Sequence, residues 1–578
     1  MRDSRGARGS HDNVVAAALV VAAALVAVVL YLPAAVASLV GSGSLPPFGA
    51  GVVGTVRIGL DGMWSDPARA YAPSVRAGMP ADTGWWLSQL AAAAVIAVPV
   101  LLVAVWLDRA RGRRRLGERR YDPRGWVKRR DFARPRDVSH LRHRVFDRDR
   151  WWLGTLDRRS IASGTEVHPA LVAPTRSGKT KRYVVSWLLE HRGPAVVTST
   201  KRDVIEATRD ARAQRGEVWE FNPFSARSCG WSPLAGCEHW STALQQARFI
   251  ADAVPDQHSE VARYWSREGA KLLAPLLHAA ALDERPMGEV VTWLDSQAAD
   301  GPAEILEKEK ATAAALQLEG VVSLDERNRG TTFMSASSLL EGYRHPAVQA
   351  TDRPDFDAVK LLGGDNTLYL VATEDEQELL APLFVGLLLS VFRAAATRYH
   401  AHGPLDPVLR IILDETANIA PMRSLGRRLA GSAEHGVRVA TVWQDLAQME
   451  ERFGRPGADN VLGNSVTKCF LGPITDRATR EYVVGLLDRS SSVERDEGDF
   501  DLERDKASAQ RLQQLAAGRA LVVNERDLPA VVRVPFWWER SDLRQRLGEA
   551  GRRTADVQRR GPGGAPKGAR AQGTEPAE

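Results

Sequence analysis

Residues 167–180 read VHPALVAPTRSGKT, a short apolar run followed by a loop that ends in Gly178, Lys179 and Thr180. The pattern KRYVVSWLLEH begins at the next residue and predicts a helix. The order of strand, loop, Gly-Lys-Thr and helix is typical of a P-loop, whose backbone N–H groups hold phosphate oxygens at a helix N-terminus. We therefore expect a nucleotide-binding α/β domain, with Lys179 neutralising phosphate charge and the Thr180 hydroxyl holding Mg²⁺.

The candidate phosphate-binding residues are the last seven of this stretch: Pro174, Thr175, Arg176, Ser177, Gly178, Lys179 and Thr180. The usual pattern G-x-x-x-x-G-K-[ST] is broken once, because its first glycine is Ala173 here. A methyl group fits that position where the backbone φ is negative. The sequence thus predicts a phosphate loop with one departure, whose effect on turnover it leaves open.

Two further apolar runs end in polar side chains that suit the same chemistry. Residues 408–413, VLRIIL, lead into Asp414 and Glu415, a pair that in P-loop ATPases contacts Mg²⁺ through water and activates the attacking water. Residues 435–443, HGVRVATVW, deliver Gln444 to a strand end, where an amide would sense the γ-phosphate. A solvated acidic turn and a surface glutamine are the alternatives. Because both halves of the site occur in the right chain order, an ATPase is the stronger interpretation.

The two halves of the site are far apart in the chain, since Thr180 and Asp414 are separated by 234 positions. Helix-like periodicity fills much of this distance and predicts an all-α insert over residues 239–355. The nucleotide domain is thereby divided into residues 151–238 and 356–550, and its strands alternate with helices, which predicts a mostly parallel sheet. Helical patterns lie at residues 241–254, 261–282, 287–295, 302–322 and 331–343, and strand patterns at 167–173, 195–200, 217–221, 367–372, 409–413, 437–442, 467–471, 520–524 and 531–534.

The composition is that of a folded protein, with 44% hydrophobic residues and 26% charged residues in 578. The formal net charge is +6, but residues 108–130 alone carry eleven basic residues against three acidic ones. The remainder is slightly acidic, so the charge balance alone does not indicate a nucleic-acid-binding protein. Three cysteines are too few for a disulfide framework.

Two uncharged apolar stretches, residues 14–40 and 85–107, are each long enough to cross a bilayer as a helix. The basic segment 108–150 that follows the second stretch places that end in the cytoplasm, which leaves 1–13 cytoplasmic and 41–84 outside. We therefore expect a multi-pass protein of the inner (cytoplasmic) membrane, with membrane lipids against the basic segment and the large domain in the cytoplasm. A cleaved signal peptide is the alternative for the first stretch, and it leaves the large domain in the same compartment.

The C-terminal residues 551–578 are rich in Gly, Pro, Ala and charge, with almost no large apolar residues. This composition predicts a disordered tail, for which a solvated end is the simplest interpretation and recruitment of a partner the alternative.

The order of these parts resembles one family, the type IV secretion coupling proteins, which are TraG-like membrane ATPases of bacterial conjugation. The resemblance covers most of residues 151–538, together with the two apolar stretches. The blocks that carry it are LVAPTRSGKT, VVTSTKRDVIEATRD, GEVWEFNPF, WSPLAG, YWSREGAKLLAPLLHAA, IILDETANIAPM, VATVWQDLAQMEERFG and GNSVTKCFLGPITDRATREYVVGLLD.

The resemblance implies a RecA-like P-loop domain with an inserted all-α subdomain, preceded by two transmembrane helices and assembled as a homo-hexamer. It implies ATP and Mg²⁺ as cofactors, and as partners a relaxase with the transferred DNA and the components of the type IV secretion channel. By position, Gly178, Lys179 and Thr180 take the phosphate roles, Asp414 the Mg²⁺ role, Glu415 the water-activating role and Gln444 the sensing role. The candidates for an arginine finger from a neighbouring subunit are Arg427, Arg428 and Arg480.

Three functions stay open at this stage. The first is an ATP-driven coupling protein for DNA conjugation, and the second is a protein-secretion or FtsK-like double-stranded DNA pump on the same ATPase core. The third is a membrane scaffold that binds nucleotide without turning it over, for which Ala173 is the motivation. The presence of Lys179, Thr180, Asp414 and Glu415 argues against the scaffold, which has no chemical need of all four.

Overall fold

The computed structural model describes residues 30–63, 65–80, 83–87, 90, 133, 137–142, 149–253, 260–491, 510, 512–524, 527 and 529–546. The chain separates into two compact units, the first within residues 1–122 and the second within residues 123–578.

The first unit is helical in its described part. The ring of Tyr71 lies against the helix Phe48–Leu60 at Gly54, where an added Cβ would stand 2.0 Å from the ring, so that only glycine allows this contact. The hydroxyls of Tyr71 and Thr55 lie 2.9 Å apart and share a hydrogen bond. The helices are α1 (Leu30–Ser42), α2 (Phe48–Leu60), a 3₁₀ turn (Pro67–Ala70) and α3 (Pro73–Arg76).

The predicted membrane spans fall mostly outside the described residues. Of the stretch 14–40 only residues 30–40 are described, as part of α1, and of 85–107 only 85–87 and 90. Within the described part of the chain, one helix is long and apolar enough to cross a membrane, Glu374–His402, and 72% of its apolar window is buried inside the second unit. The two spans stay predictions, and the tail 551–578 also lies outside the described residues.

The second unit is built on an eleven-stranded mixed sheet in the order β2-β1-β11-β10-β9-β3-β8-β7-β4-β6-β5. The seven strands from β9 to β5 run parallel, and β10, β11, β1 and β2 extend the sheet antiparallel. The strands are β1 (Trp152–Leu156), β2 (Arg159–Ala162), β3 (Pro169–Val172), β4 (Ala195–Ser199), β5 (Val218–Phe221), β6 (Thr367–Val371), β7 (Leu409–Leu413), β8 (Val437–Trp443), β9 (Thr467–Leu471), β10 (Arg519–Asn524) and β11 (Ala530–Arg533).

The central strands are apolar on both faces, as expected for parallel strands covered by helices on both sides. Along β7, Ile411 joins one buried cluster and Ile412 the other, because successive side chains point to opposite faces of a sheet. All five residues of β7 are buried. The mixed α/β sheet that the sequence predicts is therefore confirmed, with the strands near their expected positions.

Described helices of the second unit pack against this sheet. Between β5 and β6 the described elements are all helical, from Trp240 to Leu361. The helix Gln377–His402 connects β6 to β7, and many of its residues belong to the buried core. The helices are α4 (Val185–Glu190), α5 (Asp203–Ala213), α6 (Trp240–Ala251), α7 (Glu260–Leu282), α8 (Met287–Asp295), α9 (Asp300–Lys308), α10 (Thr312–Val322), α11 (Glu326–Leu339), α12 (Pro346–Gln349), α13 (Ala358–Leu361), α14 (Gln377–His402), α15 (Thr416–Ile419), α16 (Leu425–Ser432), α17 (Leu446–Gly463), α18 (Arg477–Ser491) and α19 (Ser541–Arg546). Short 3₁₀ turns lie at Ser139–Leu141, Glu341–Arg344, Glu374–Glu376 and Trp537–Glu539.

Two details differ from the sequence-based expectation. The predicted helix 302–322 is two helices, α9 and α10, because Lys310 adopts a left-handed backbone with φ 57° that ends the first of them. The hairpin of β1 and β2 was not predicted. Its turn residues Asp157 and Arg158 both have positive φ without a glycine, so the usual sequence sign of a tight turn is missing.

A candidate nucleotide-binding site

The predicted phosphate loop leaves the carboxyl end of β3, which lies between β8 and β9 near the middle of the sheet. It leads into a turn of π-helix, Thr180–Val184, that continues as α4. Ala173 is fully buried, and its N–H donates to the carbonyl oxygen of Trp443 at 3.0 Å. Its φ is not positive, so the methyl group that replaces the usual glycine causes no backbone strain.

Gly178 satisfies a steric requirement of the loop. Its φ is 81°, in the left-handed region that favours glycine. An added Cβ would lie 3.0 Å from Cε1 of Phe536 and 3.2 Å from Nε of Arg182. Arg176 also has a positive φ, 62°, although it carries a side chain. Two residues of the loop therefore have a left-handed backbone, and Arg176 adopts it at some cost in local strain.

Thr180 and Asp414 are brought together from opposite halves of the sequence. The Thr180 hydroxyl donates to Asp414 Oδ2 at 2.7 Å, and the Thr198 hydroxyl donates to the Asp414 carbonyl oxygen at 2.7 Å. The second carboxylate oxygen of Asp414, Oδ1, is buried and has no hydrogen-bond partner among the described residues. A hydroxyl and an unsatisfied carboxylate oxygen are the hard oxygen ligands that Mg²⁺ prefers, so these residues fit that ion.

The environment of Asp414 changes its acidity. Burial raises the pKa of Asp414 to about 7, although the Thr180 hydrogen bond and the charge of Lys179 oppose the shift. The neighbouring carboxylates of Glu415 and Asp203 raise the pKa further. A divalent cation at Oδ1 would favour the ionised form, because its charge offsets the cost of burying the carboxylate.

Lys179, Glu415 and Gln444 form a chain of contacts at the same edge of the sheet. Lys179 Nζ lies 2.6 Å from Glu415 Oε1, and Gln444 Nε2 donates to Glu415 Oε2 at 3.1 Å. Both side chains of the ion pair are mostly buried, at 9% and 13% exposure. Glu415 has a left-handed backbone with φ 55° and ψ 52°, which for a non-glycine residue costs about 1–3 kcal/mol. Such strain often marks a functional position, because the surrounding structure must hold the residue in place.

The structure thus groups Lys179, Thr180, Asp414, Glu415 and Gln444 at the carboxyl ends of β3, β7 and β8. Among the described residues, no group of three or more His, Cys, Asp or Glu side chains is arranged to hold a metal ion.

The three arginines predicted as finger candidates lie elsewhere. Arg427 is exposed on α16, and Arg428 packs over the rings of Phe249 and Phe392, at 5.6 and 5.9 Å from their centroids. Arg480 donates from Nε to the Asp476 carbonyl oxygen at 3.3 Å. Within the described part of the chain, none of these three arginine side chains forms a hydrogen bond or ion pair with any of the five grouped residues.

Sequence reasoning missed two contributors to the site. Thr198 supports the Asp414 backbone from β4, and Phe536 closes over the phosphate loop, with the Arg182 guanidinium carbon 3.6 Å from its ring centroid. The Arg182 guanidinium also donates to the Val534 carbonyl oxygen. These contacts join positions hundreds of residues apart, so no local pattern indicates them.

The comparisons with known proteins agree on one family. A family model described as type IV secretory system conjugative DNA transfer matches residues 129–525. A conjugal transfer protein TraG of Escherichia coli is 27% identical over 363 residues, which are 57% of this chain and 56% of that protein. The protein VirD4 of Rhizobium rhizogenes is 22% identical over 345 residues, 57% of this chain and 50% of that protein. The chain spans about half the length of the curated relatives it matches.

Solved structures with a similar fold include those of the bacterial conjugative coupling protein TrwB. The unbound form TrwBdeltaN70 has a TM-score of 0.53 at 18% identity, over 70% of this chain and 94% of that chain. TrwB with the GTP analogue GDPNP and TrwB with ADP and Mg²⁺ match with the same TM-score, identity and coverage. At this identity the likeness shows the fold, which is a mixed sheet covered by helices.

Proposed function

This chain belongs to the type IV secretory system conjugative DNA transfer family, and on that premise we propose that it is a membrane-anchored ATPase. In this proposal it couples relaxase-bound DNA to a type IV secretion channel and drives DNA transfer by ATP hydrolysis. The observation that carries the proposal is the grouping of Lys179, Thr180, Asp414, Glu415 and Gln444 at one edge of the sheet.

Each grouped residue has a role that its contacts support. The loop amides and Lys179 bind the β- and γ-phosphates, since the loop faces a helix start and Lys179 carries the charge. The Thr180 hydroxyl and Asp414 hold Mg²⁺, which when bound neutralises charge on the phosphates. Glu415 accepts a proton from the attacking water as general base, and Gln444 orients Glu415 through its 3.1 Å hydrogen bond.

The pairing of Lys179 with Glu415 couples substrate binding to the base. A bound phosphate competes with Glu415 for the Lys179 ammonium, because both are anions within reach of the same cation. When Lys179 turns to the phosphate, Glu415 loses its ion pair and keeps the Gln444 hydrogen bond, which leaves a carboxylate oxygen free for water. The lysine thus serves both to bind phosphate and to release the base.

The solved structures of TrwB, which has a similar fold, support the proposal that ATP and Mg²⁺ bind this chain. TrwB has been solved with an ATP analogue, with a GTP analogue and with ADP and Mg²⁺. We propose the same ligand class for this chain, because its own loop, hydroxyl and carboxylate supply the groups that a magnesium nucleotide needs.

The remaining parts of the proposal come from the sequence and the family. Residues 14–40 and 85–107 anchor the chain in the inner membrane with the large domain in the cytoplasm. The chain works as a homo-hexamer, and its partners are the relaxase with its DNA, the secretion channel components and membrane lipids. A neighbouring subunit supplies the arginine finger, for which exposed Arg427 is better placed than Arg428, whose guanidinium packs over two rings of its own chain.

A conjugation assay in the bacterium that carries the gene tests this proposal. A Lys179→Ala replacement is expected to abolish transfer of DNA to recipient cells, while the relaxase still nicks its DNA. A Lys271→Ala replacement is the matched control, because Lys271 is an exposed lysine on α7. Transfer at the normal frequency by the Lys179→Ala strain would contradict the proposal. Loss of protein export with normal DNA transfer would favour the protein-secretion alternative.

A further inference from the structure

A cavity of about 950 Å³ lies in the second unit, and none of the five grouped site residues lines it. Its walls come from residues 231–236, from residues 354–363 and from the C-terminal half of α14. The first wall is the WSPLAG stretch, one of the blocks that carry the family resemblance, for which the nucleotide site has no use. The apolar lining includes Trp231, Pro233, Phe356, Val359, Leu362 and Ala394.

An arginine that lines this cavity has an unsatisfied hydrogen-bond donor within the described part of the chain. Arg393 of α14 is partly buried, and its Nη1 atom is fully buried with no hydrogen-bond partner among the described residues. Burial lowers the pKa of Arg393, and no carboxylate opposes that shift. The contrast with Arg212 is instructive, since that buried guanidinium donates to the Thr367 hydroxyl and to the His191 and Gly193 carbonyl oxygens. A buried guanidinium without such acceptors is costly unless a ligand supplies them.

Other polar side chains also line the cavity. Arg398 and His402 line it, and the buried Nε2 of Gln246 is a second donor without an acceptor among the described residues. The carboxylate of Asp357 also lines it, but its Oδ1 accepts the Val359 N–H at 2.7 Å, as the cap of α13. Within the described part of the chain, Asp357 forms no ion pair with Arg393, so this carboxylate does not neutralise the guanidinium.

We propose that this cavity binds an organic anion of small-molecule size, with a flat apolar body and a carboxylate or phosphate group. The body packs against Trp231, Phe356 and Leu362, and the anionic group accepts hydrogen bonds from Arg393. The cavity volume lies within the range of about 300–1,000 Å³ that is usual for such ligands. Pairing with a guanidinium forms charge-assisted hydrogen bonds, which are stronger than those between neutral groups. This site is separate from the nucleotide site and does not depend on the proposed function.

The test uses the full chain in lipid nanodiscs, with empty nanodiscs as the blank, and equilibrium dialysis of three probes. Two probes are anions, 2-naphthoate and 2-naphthyl phosphate, and the third, 2-naphthamide, is their neutral analogue. We expect saturable binding of at least one anion and binding of the amide that is weaker by about tenfold. The preferred anion identifies the head group, because the carboxylate and the phosphate share the same apolar body.

Two variants locate the binding. Arg393→Gln is expected to weaken anion binding by about tenfold or more, and Ala394→Trp to weaken it at least as much, because the indole would occupy the part of the cavity beside Arg393. Arg285→Gln, at an exposed arginine outside the cavity, should leave binding unchanged. Binding of a fluorescent ATP analogue in the same samples shows that each variant is folded, and separates this test from that of the nucleotide site. The proposal would be overturned if neither anion bound saturably. It would also be overturned if Arg393→Gln and Ala394→Trp both bound the anions as tightly as the wild type.

Discussion

Lys179 Nζ lies 2.6 Å from Glu415 Oε1, so the lysine of the phosphate loop is paired with the carboxylate that follows Asp414 at the end of β7. The two residues are 236 positions apart in the chain, and the sheet order brings β3 and β7 to either side of β8. The contact ties the two halves of the site into one ion pair.

Replacing Lys179 tests the phosphate role. Lys179→Ala is expected to weaken binding of a fluorescent ATP analogue by about ten- to a hundredfold, because hydrogen bonds to charged groups contribute about 1.5–3 kcal/mol. Titration of the full chain with the analogue measures the effect, and Lys271→Ala is the control. Affinity of the Lys179→Ala chain within twofold or so of the wild type would remove Lys179 from the phosphate site.

Replacing Glu415 separates catalysis from binding. Glu415→Gln should lower the rate of ATP hydrolysis by about 10²- to 10⁴-fold, the usual contribution of a general base. Its affinity for the ATP analogue should be equal or higher, because the competing partner of Lys179 is no longer charged. The control is Glu434→Gln, a side chain that is 67% exposed. Unchanged hydrolysis by Glu415→Gln would show that another group activates the water.

Restoring the usual glycine tests the departure at Ala173. Ala173→Gly is expected to change the hydrolysis rate by less than about twofold, because the φ of Ala173 is not positive and the loop needs no glycine there. The same change should destabilise the fold by about 1 kcal/mol, since it removes a buried methyl group and adds backbone freedom. Hydrolysis assays and urea unfolding measure the two effects. A large gain in turnover would instead show that Ala173 limits catalysis.

Replacing Asp414 should stabilise the protein while it removes metal-dependent activity. The pKa of Asp414 in the folded state, about 7, lies above the ordinary 3.8, so the folded state binds the extra proton between these values. The stability of the wild type therefore falls as pH rises through this window, by up to about 1.4 kcal/mol per pH unit. The amide of Asp414→Asn does not ionise, so this variant avoids the loss of stability. Its unfolding temperature should exceed that of the wild type by more at pH 8 than at pH 5.

This comparison is made without Mg²⁺ or nucleotide, because either ligand would stabilise the wild type by binding. Thr198→Val serves as a control, since it removes the hydrogen bond to the Asp414 backbone but leaves the carboxyl group in place. An advantage of Asp414→Asn that is equal at both pH values would show that burial does not raise the pKa of this carboxyl group.

Much of the sheet and of the site could be predicted from the sequence. Buried parallel strands are continuous apolar runs, so β7 (Leu409–Leu413) and β9 (Thr467–Leu471) lie where their patterns predict. Lys179, Thr180, Asp414, Glu415 and Gln444 could be selected because each follows such a run, and the carboxyl ends of parallel strands share one edge. The expectation of a coupling-protein family is also confirmed.

Other features depend on contacts between distant parts of the chain, which no local sequence pattern indicates. The left-handed backbone of Glu415 results from the turn between β7 and α15, and a glutamate gives no sign of it in the sequence. The cover of Phe536 over Arg182 requires the antiparallel extension of the sheet to bring residue 536 to the phosphate loop. The cavity at Arg393 is assembled from three separate segments, and only their packing reveals that Nη1 of the guanidinium has no acceptor among the described residues.

The most direct test of the account is the rate of Mg²⁺-dependent ATP hydrolysis by the full chain, measured with and without single-stranded DNA. The account predicts hydrolysis that DNA accelerates and that Lys179→Ala abolishes. Parallel reactions with double-stranded DNA distinguish a coupling protein from a double-stranded DNA pump. A hexameric chain that binds ATP but does not hydrolyse it, with either DNA or with none, would contradict the account and favour a nucleotide-binding scaffold.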